Sequence, residues 1–559
     1  MKFVHWTNPQ QPATVPQAEI VEGGAEFYLP TGADPFLDAA VEAVVTAPSG
    51  HAMTLPCFWA GGSVMKFRYT VGEVGRHQYR FQVTKGPLEI LSGSEGTFEG
   101  GAERTVNRLL RRGAPRMSAN RRYLERGDAE PFLWLADSWW FGMSTRIRYP
   151  EEFTKLVRDR AEKGFSVIQF AMGFACDIAP YDPRERNEAG HIWEDDYRTI
   201  NPAYFEHADQ RLGTLVDYEL VPNIVGLWGY YLPFLGREKA KLHWRYLIAR
   251  YGALPVTWTL CGEVRLVWYE AGPEEREALL QEQREGWAEV GRFLQDCDPW
   301  NRLVTCHVGP KPRGVDVDPL TDMSVLDFHF IQPGHSDFDA VQSILQDLDH
   351  ARNALPSAPV MVGECCFEGM HGAAGPKSQR NLFWMSICAG MPGYSYGVDA
   401  LWQMNRREDP FGVSVPGHIW GNAPWDEAYQ WQGSANLGLG AKLLRELPWQ
   451  DFEPRSDWLE PHGSPAQPRQ PMCCGIPGKL RLIYIPVNLA PWAAKPVVRQ
   501  LDGPYSATYI NPIDGSRHPL GRVEPDASGN WVLPHAPVLH DWVLLLEADT
   551  TPGDKTPAA

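Results

Sequence analysis

Apolar and polar residues change rhythm twice along the chain. Between residues 18 and 100 they alternate, in AEIVEGGAEFYLPTG, AVEAVVTAPSG and VMKFRYTVGEVGRHQYRFQVT, with glycine and proline marking the breaks. A period of two is that of a half-buried strand, and strands recurring about every ten residues predict a small sandwich. From 131 to 450, short apolar runs alternate with stretches whose apolar residues recur at three and four positions. The runs are FLWLADS (132–138), FSVIQFA (165–171), LVPNIVGLW (220–228), VTWTLCGE (256–263), RLVTCHV (302–308), VLDFHFIQ (325–332), APVMVGE (358–364) and GYSYGV (393–398). Helical stretches such as PEEFTKLVRDRAEKG and NPAYFEHADQRLGTLVDYEL sit between them. Eight such alternations give the count of a (β/α)8 barrel. A proline-rich junction, WLEPHGSPAQPRQP, then leads back to a β rhythm in KLRLIYIPV, YSATYINPIDGSRHPL, NWVLPH and DWVLLLEA. The expected fold class is therefore α/β, a TIM barrel flanked by an N-terminal and a C-terminal β-sandwich. The expected boundaries are 1–112, 113–455 and 456–550, with a frayed tail at 551–559.

Length and composition narrow this picture. A chain of 559 residues is too long for one core and fits two or three domains when one is a barrel. The 52 glycines and 48 prolines supply many turns, and 22 tryptophans offer indole faces for a cleft as readily as for a core. A formal charge of −17 argues against nucleic acid as a partner. The local exception is the run Arg104, Arg108, Arg111, Arg112, Arg116, Arg121, Arg122 and Arg126, which lacks interleaved aromatics and reads as a solvated connector. No stretch of about 18 apolar residues predicts a membrane span, and the opening MKFVHWTNPQQPATVPQ has no apolar signal core, so a cytoplasmic location is expected. Ten scattered cysteines form neither a disulfide framework nor a zinc spacing, and no cofactor or metal is expected. Whether the chain forms a homo-oligomer stays open.

A barrel carries its chemistry at the C-terminal ends of its strands. The polar or aromatic residues there are Asp137, Gln169, Trp228, Glu263, His307, His329, Glu364 and Trp402. Two carboxylates dominate. Glu263 ends the fourth strand in TLCGEV and Glu364 ends the seventh in VMVGECC, each after a glycine. Strands four and seven face each other across an eight-stranded barrel. One carboxyl can then protonate a leaving oxygen while the other attacks an anomeric carbon, which is what glycoside hydrolysis needs. Asp137, Gln169, Trp228, His307, His329 and Trp402 are the expected substrate-binding residues, with His329 the first candidate to hydrogen-bond Glu364. Glu263 should sit in the more apolar setting, near Trp228 or Trp258. Specificity is expected from the loops 171–200 and 403–430, with Trp193, Trp420 and Trp425 as candidate walls. No phosphate-cradling glycine loop is present.

Three stretches carry a resemblance. TLPCFWAGGSVMKFRYTVGEVGRHQYRF (54–81) resembles the N-terminal β domain ahead of many bacterial glycosidase barrels. RMSANRRYLERGDAEPFLWLADSWWFGMSTRIRYPEEFTKLVRDRAEKGFSVIQF (116–170) resembles the opening of the apiosidase-like barrels, the group around glycoside hydrolase family 140. GKLRLIYIPV and YSATYINPIDGS, within 478–516, resemble the C-terminal β domain of the same proteins. The resemblance implies an exo-acting retaining glycosidase with a clan-A-type barrel, removing a terminal sugar, apiose-like or another furanose or pyranose. It implies an acid/base carboxylate after strand four, here Glu263, and a nucleophile after strand seven, here Glu364. Two departures stand out. The family's acid is often Asp after a glycine pair, where this chain has Cys261-Gly262-Glu263, and its LGDT is Leu135-Ala136-Asp137-Ser138 here. The alternative is a non-catalytic carbohydrate-binding protein on a decayed barrel, against which Glu263 and Glu364 both count.

Overall fold

The computed structural model describes residues 1–309, 318–354, 357–486 and 494–549; the expected tail at 551–559 lies outside them. Its centre is a barrel of eight parallel strands: β1 (Trp134–Ser138), β2 (Val167–Ala171), β3 (Val221–Val225), β4 (Thr257–Thr259), β5 (Val304–Thr305), β6 (His329–Ile331), β7 (Val360–Val362) and β8 (Gly393–Tyr396). All eight fall inside the apolar runs. The ladder is continuous in the order β5-β4-β3-β2-β1-β8-β7-β6. Between β5 and β6 no ladder forms. The gap is fastened by single bonds, from Asp327 N–H to Val304 O (2.8 Å) and from Thr305 Oγ1 to Phe328 O (2.8 Å).

Helices cover the barrel because their apolar stripes face it. Helix Glu151–Glu162 buries Phe153, Leu156, Val157 and Arg160, one stripe at helical spacing, with Glu151 and Glu152 favourably placed in its first turn. Helix Pro202–Asp217 begins with proline at its first position, and the Asn201 side chain accepts from Ala203 N–H. Between β5 and β6 the described residues hold only a 3₁₀ turn, Met323–Val325, where the eightfold count anticipates a helix.

Strand parity divides the barrel. Trp134, Ala136, Val167, Val221, Phe328, Phe330 and Met361 form the apolar cluster inside it. Their neighbours Leu135, Ile168, Ile224, Trp258, Ile331 and Val362 belong to the layer under the helices. Above the apolar cluster lies a polar layer. Gln169 donates to Ser138 Oγ (3.1 Å) and Gly363 O (3.0 Å), Asn223 donates to Gln169 Oε1 (3.2 Å), and Thr257 and Thr259 donate to Asn223 Oδ1.

The arginine run is more than a connector. It forms helix Arg108–Arg112 and part of a small sheet, Arg116–Met117, Leu124–Glu125 and Pro131–Phe132, whose Leu109, Leu124 and Phe132 join the interior cluster and close the barrel's N-terminal end. Its charges are answered locally, Arg112 by Asp128 (3.0 Å) and Arg116 by Glu125 (3.0 Å).

The N-terminal sandwich has two five-stranded sheets spanning residues 4–101. It docks on the barrel through Arg68, which pairs with Asp209 and donates to Arg250 O (2.8 Å), while Arg250 holds the same aspartate (3.0 Å). The C-terminal unit has a six-stranded and a three-stranded sheet and docks through a buried pair, Arg380–Asp541 (2.7 Å). All ten cysteines are free thiols.

Candidate active site

A cavity of about 230 Å³ opens at the C-terminal ends of the strands. This is below the roughly 300–1,000 Å³ of sites that take drug-sized ligands. Its aromatic walls are Trp140, Trp228, Phe367, Trp402 and Trp420, and its carboxylates are Glu263, Glu364 and Asp177. Among the described residues, neither sandwich contributes to it.

The backbone delivers Glu263 from an uncommon position. Gly262 lies flat under the Trp228 indole, and a Cβ there would stand 2.2 Å from the ring. Glu263 itself adopts φ +37°, in the region that side chains other than glycine rarely visit. This turn lifts the carboxyl off the strand and into the cavity, where Trp228 Nε1 donates to Oε2 (3.1 Å).

One side chain fixes the spacing of the two glutamates. Gln332 Nε2 donates to Glu263 Oε1 (2.7 Å) and to Glu364 Oε1 (3.1 Å). Both bonds share one nitrogen, so the two oxygens lie at most about 5.8 Å apart, the two lengths laid end to end. Two imidazoles face Glu364: His307 Nε2 stands 3.4 Å from Oε2 and His335 Nε2 3.3 Å from Oε1.

The environments drive the two carboxyls apart. Burial, reinforced by the Glu364 charge, pushes Glu263 up to about 7, with His307 and Gln332 opposing. Burial also works to raise Glu364, but the His307 and His335 imidazoles outweigh it and hold the group at about 2. In return, although burial disfavours its charge, the Glu364 carboxylate raises His335. Asp177, buried beside them, is raised by that burial, and its Oδ1 accepts from the Tyr269 hydroxyl.

The structure therefore brings together Glu263, Glu364, Trp228, His307 and Trp402 from the sequence reading. Gln169 lies one layer below and does not line the cavity; its amide donates to Gly363 O (3.0 Å), next to Glu364 in the chain. Two residues are elsewhere. Asp137 is fully buried on the outer side of β1, where Arg160 Nε (2.6 Å), Trp139 Nε1 (2.8 Å) and Ser138 N–H (3.0 Å) occupy its oxygens. His329 has the parity of Ile331 rather than of Phe328 and Phe330, so it faces the helix layer. Burial lowers it to about 4. Gln332, continuing the inward parity of Phe330, holds the place expected of His329. Among the candidate walls only Trp420 lines the cavity: Trp193 bonds His243 (3.2 Å) and Trp425 is buried in a short helix, while Trp258 bonds Asp298 (2.8 Å) in the outer layer. The loops at 171–200 and 403–430 do contribute, through Cys176 and Asp177 and through Pro416, His418 and Trp420.

A family model described as "Apiosidase-like, catalytic domain" matches residues 118–451, more than half the chain and the whole barrel. The chain belongs to the apiosidase-like family. An apiosidase is a glycoside hydrolase, and the solved structures similar to this apiosidase-like protein bear names of that kind. One named "Glycoside hydrolase" aligns at TM-score 0.64 and 18% identity, covering 78% of this chain and 97% of its own. A glycoside hydrolase family 5 protein from Bacteroides vulgatus ATCC 8482 aligns at TM-score 0.63 and 17% identity, over 79% and 94%. A putative glycoside hydrolase from the same organism aligns at TM-score 0.64 and 14% identity, over 96% and 100%. At these identities the likeness is one of fold. A search of curated proteins returned no match. Among the described residues no cluster of His, Cys, Asp or Glu has the arrangement of a metal site, and no helix is long and apolar enough to cross a membrane.

Proposed function

We propose that this apiosidase-like protein is a retaining, exo-acting glycoside hydrolase that removes a single terminal sugar. The observation that carries the reading is the Gln332 bridge. Retaining enzymes hold their carboxyls about 5–5.5 Å apart and inverting ones about 6.5–9.5 Å, to admit a water. A limit of about 5.8 Å between the bridged oxygens supports direct attack. The roles follow from the protonation states. Glu364, ionised and faced by two imidazoles, attacks the anomeric carbon. Glu263, protonated near neutrality, gives its proton to the leaving oxygen, then takes one from the water that releases the sugar. A cavity of about 230 Å³ walled by indoles supports a pocket one ring deep, with Trp402 and Trp228 as platforms and Asp177 as a hydroxyl acceptor. The family and the one-ring pocket together favour apiose or another small furanose or pyranose.

A panel of aryl glycosides, apioside and arabinofuranoside included, tests this, with proton NMR of the first-formed sugar. Retained configuration is expected. Glu263→Ala should still cleave dinitrophenyl glycosides, lose poor leaving groups by at least a hundredfold, and give a retained glycosyl azide when azide is added. Glu364→Ala should be inactive throughout. Inverted product, or equal losses on good and poor leaving groups in Glu263→Ala, would refute the assignment. Silence across the panel would favour the binding-protein alternative.

A further inference from the structure

Another cavity lies at the opposite end of the barrel. It is formed by Leu133 before β1, Phe165 before β2 and Glu219 before β3, and by the segment 445–450 that leads into the C-terminal unit. Its volume of about 500 Å³ falls within the roughly 300–1,000 Å³ of small-molecule sites. It shares no lining residue with the site of Glu263 and Glu364.

On a chain with a formal charge of −17, three arginines line this cavity: Arg108, Arg126 and Arg445. Its two carboxylates are already committed. Glu130 pairs with Arg108 (3.3 Å) and with Arg112, and Glu219 Oε1 accepts from Arg108 N–H (2.6 Å). Most of the arginine run is answered by acids in this way, and Arg126 is the exception. Among the described residues neither Arg126 nor Arg445 has a carboxylate within salt-bridge reach, and each is held by a neutral group. The Arg126 guanidinium lies over the Phe132 ring, 5.2 Å from its centroid, and Arg445 Nη1 donates to Gly164 O (2.9 Å). Gly164 sits at φ +84°, and a Cβ there would stand 3.2 Å from that nitrogen. Stacking occupies a face of the Arg126 guanidinium and leaves its in-plane donors, the fork that grips an oxyanion, directed elsewhere. Burial, then the repulsion of Arg108 and Arg112, depress Arg126, with Glu219 only partly opposing; burial also lowers Arg445. Like charges gathered in a cavity disfavour one another, and an anion placed among them relieves that cost.

Independently of the glycosidase reading, we propose that this cavity binds a small phosphate monoester, its phosphate held between Arg126 and Arg445. Two cations without acid partners match a dianion. A phosphate monoester carries about −1.5 to −2 near neutrality, where a carboxylate carries a single charge. The remaining volume takes the body of the ester, and Tyr218 and Glu219 offer a hydroxyl and a carboxylate to hydroxyls on it. The bound molecule ties the segment entering the barrel, at 126–133, to the segment leaving it, at 445–450, and so stabilises the native chain.

Calorimetry and thermal unfolding of the full chain at constant ionic strength test this. The probes are glycerol 3-phosphate, ribose 5-phosphate and glucose 6-phosphate, against inorganic phosphate, glucose and glucuronate. At least one ester should bind about tenfold or more tighter than glucuronate and inorganic phosphate, and raise the unfolding temperature. Arg126→Gln and Arg445→Gln should each weaken that ester about tenfold or more, whereas Glu364→Gln, at the far end of the barrel, should leave its affinity within about twofold. A measurement on wild type covers the case of a variant that fails to fold. The ester should protect Arg126 and Arg445 from phenylglyoxal, read by peptide mass, while Arg148 and Arg407, 64% and 63% exposed, stay reactive. Equal affinity for the ester and for glucuronate or inorganic phosphate would overturn the proposal. So would loss of ester binding in Glu364→Gln, unprotected Arg126 and Arg445, or failure of every ester to bind.

Discussion

Removing the charge of Glu364 should lower the protonation midpoint of Glu263, and by an amount the geometry sets. The two carboxyls share Gln332, with oxygens at most about 5.8 Å apart. Two unit charges at that distance, at an effective dielectric of about 20, repel by about 3 kcal/mol, or about 2 pKa units. Glu263 is partly open to the cavity, which screens the repulsion and leaves about 1 unit. In Glu364→Gln, Glu263 should therefore titrate near 6 instead of about 7, the remainder of the elevation being burial. Carbon-13 NMR on glutamate labelled at the carboxyl reads both midpoints, with Glu263→Gln identifying the resonance. The wild-type pH profile supplies the same midpoint independently. With the proposed roles, Glu263 protonated and Glu364 ionised, activity should fall as pH rises through about 7 and persist on the acid side down to the limit of stability. A Glu263 midpoint that stays within about 0.3 unit of wild type in Glu364→Gln would refute the mutual repulsion, and with it the close spacing.

Three further outcomes follow from named contacts. Asp137→Asn should take the charged acceptor from Arg160 Nε while Asp159 and Tyr429 O still hold the guanidinium, and cost about 1.5–3 kcal/mol in urea unfolding, with KM unchanged at low temperature, because Asp137 faces the helices. Because folding raises Glu263 from 4.5 to about 7, wild type loses stability as pH rises across that interval; Glu263→Gln, uncharged throughout, should be about 1–3 kcal/mol more stable than wild type at pH 8 and no more stable at pH 4 by thermal unfolding. Gly262→Ala should lower kcat/KM about a hundredfold while near-native folding persists, since its Cβ displaces the Trp228 indole that orients Glu263; an unchanged kcat/KM would contradict that role.

The fold was largely legible because barrel strands, buried on both faces, are written as continuous apolar runs between amphipathic helices. The same property hid the parity. In FLWLADS and VLDFHFIQ both faces are apolar, so nothing local says whether Asp137 or Ser138, His329 or Gln332, points inward. Glu263 and Glu364 escaped this ambiguity because each ends its run beyond the last ladder bond. Asp177, Tyr269, His335 and Trp420 come from loops, where no period exists to mark them; the loops of Asp177 and Trp420 were identifiable in advance, and Trp420 as a candidate wall, whereas Tyr269 and His335 were not. Their chemistry depends on how loops from β2, β4, β6 and β8 converge, a long-range fact that no window of sequence contains.

The seam between β5 and β6 gives Gln332 a further meaning. Glu263 reaches the cavity from β4, on one side of that seam, and Glu364 from β7, on the other. The barrel wall between them is stitched by isolated bonds rather than a ladder, so the wall by itself is a poor ruler. The ruler is the amide of Gln332, which spans the discontinuity and touches both acids with one nitrogen. The spacing of the two acids is in this way uncoupled from the perfection of the sheet. A shorter residue such as asparagine at 332 would alter the distance between the two acids without disturbing a single strand.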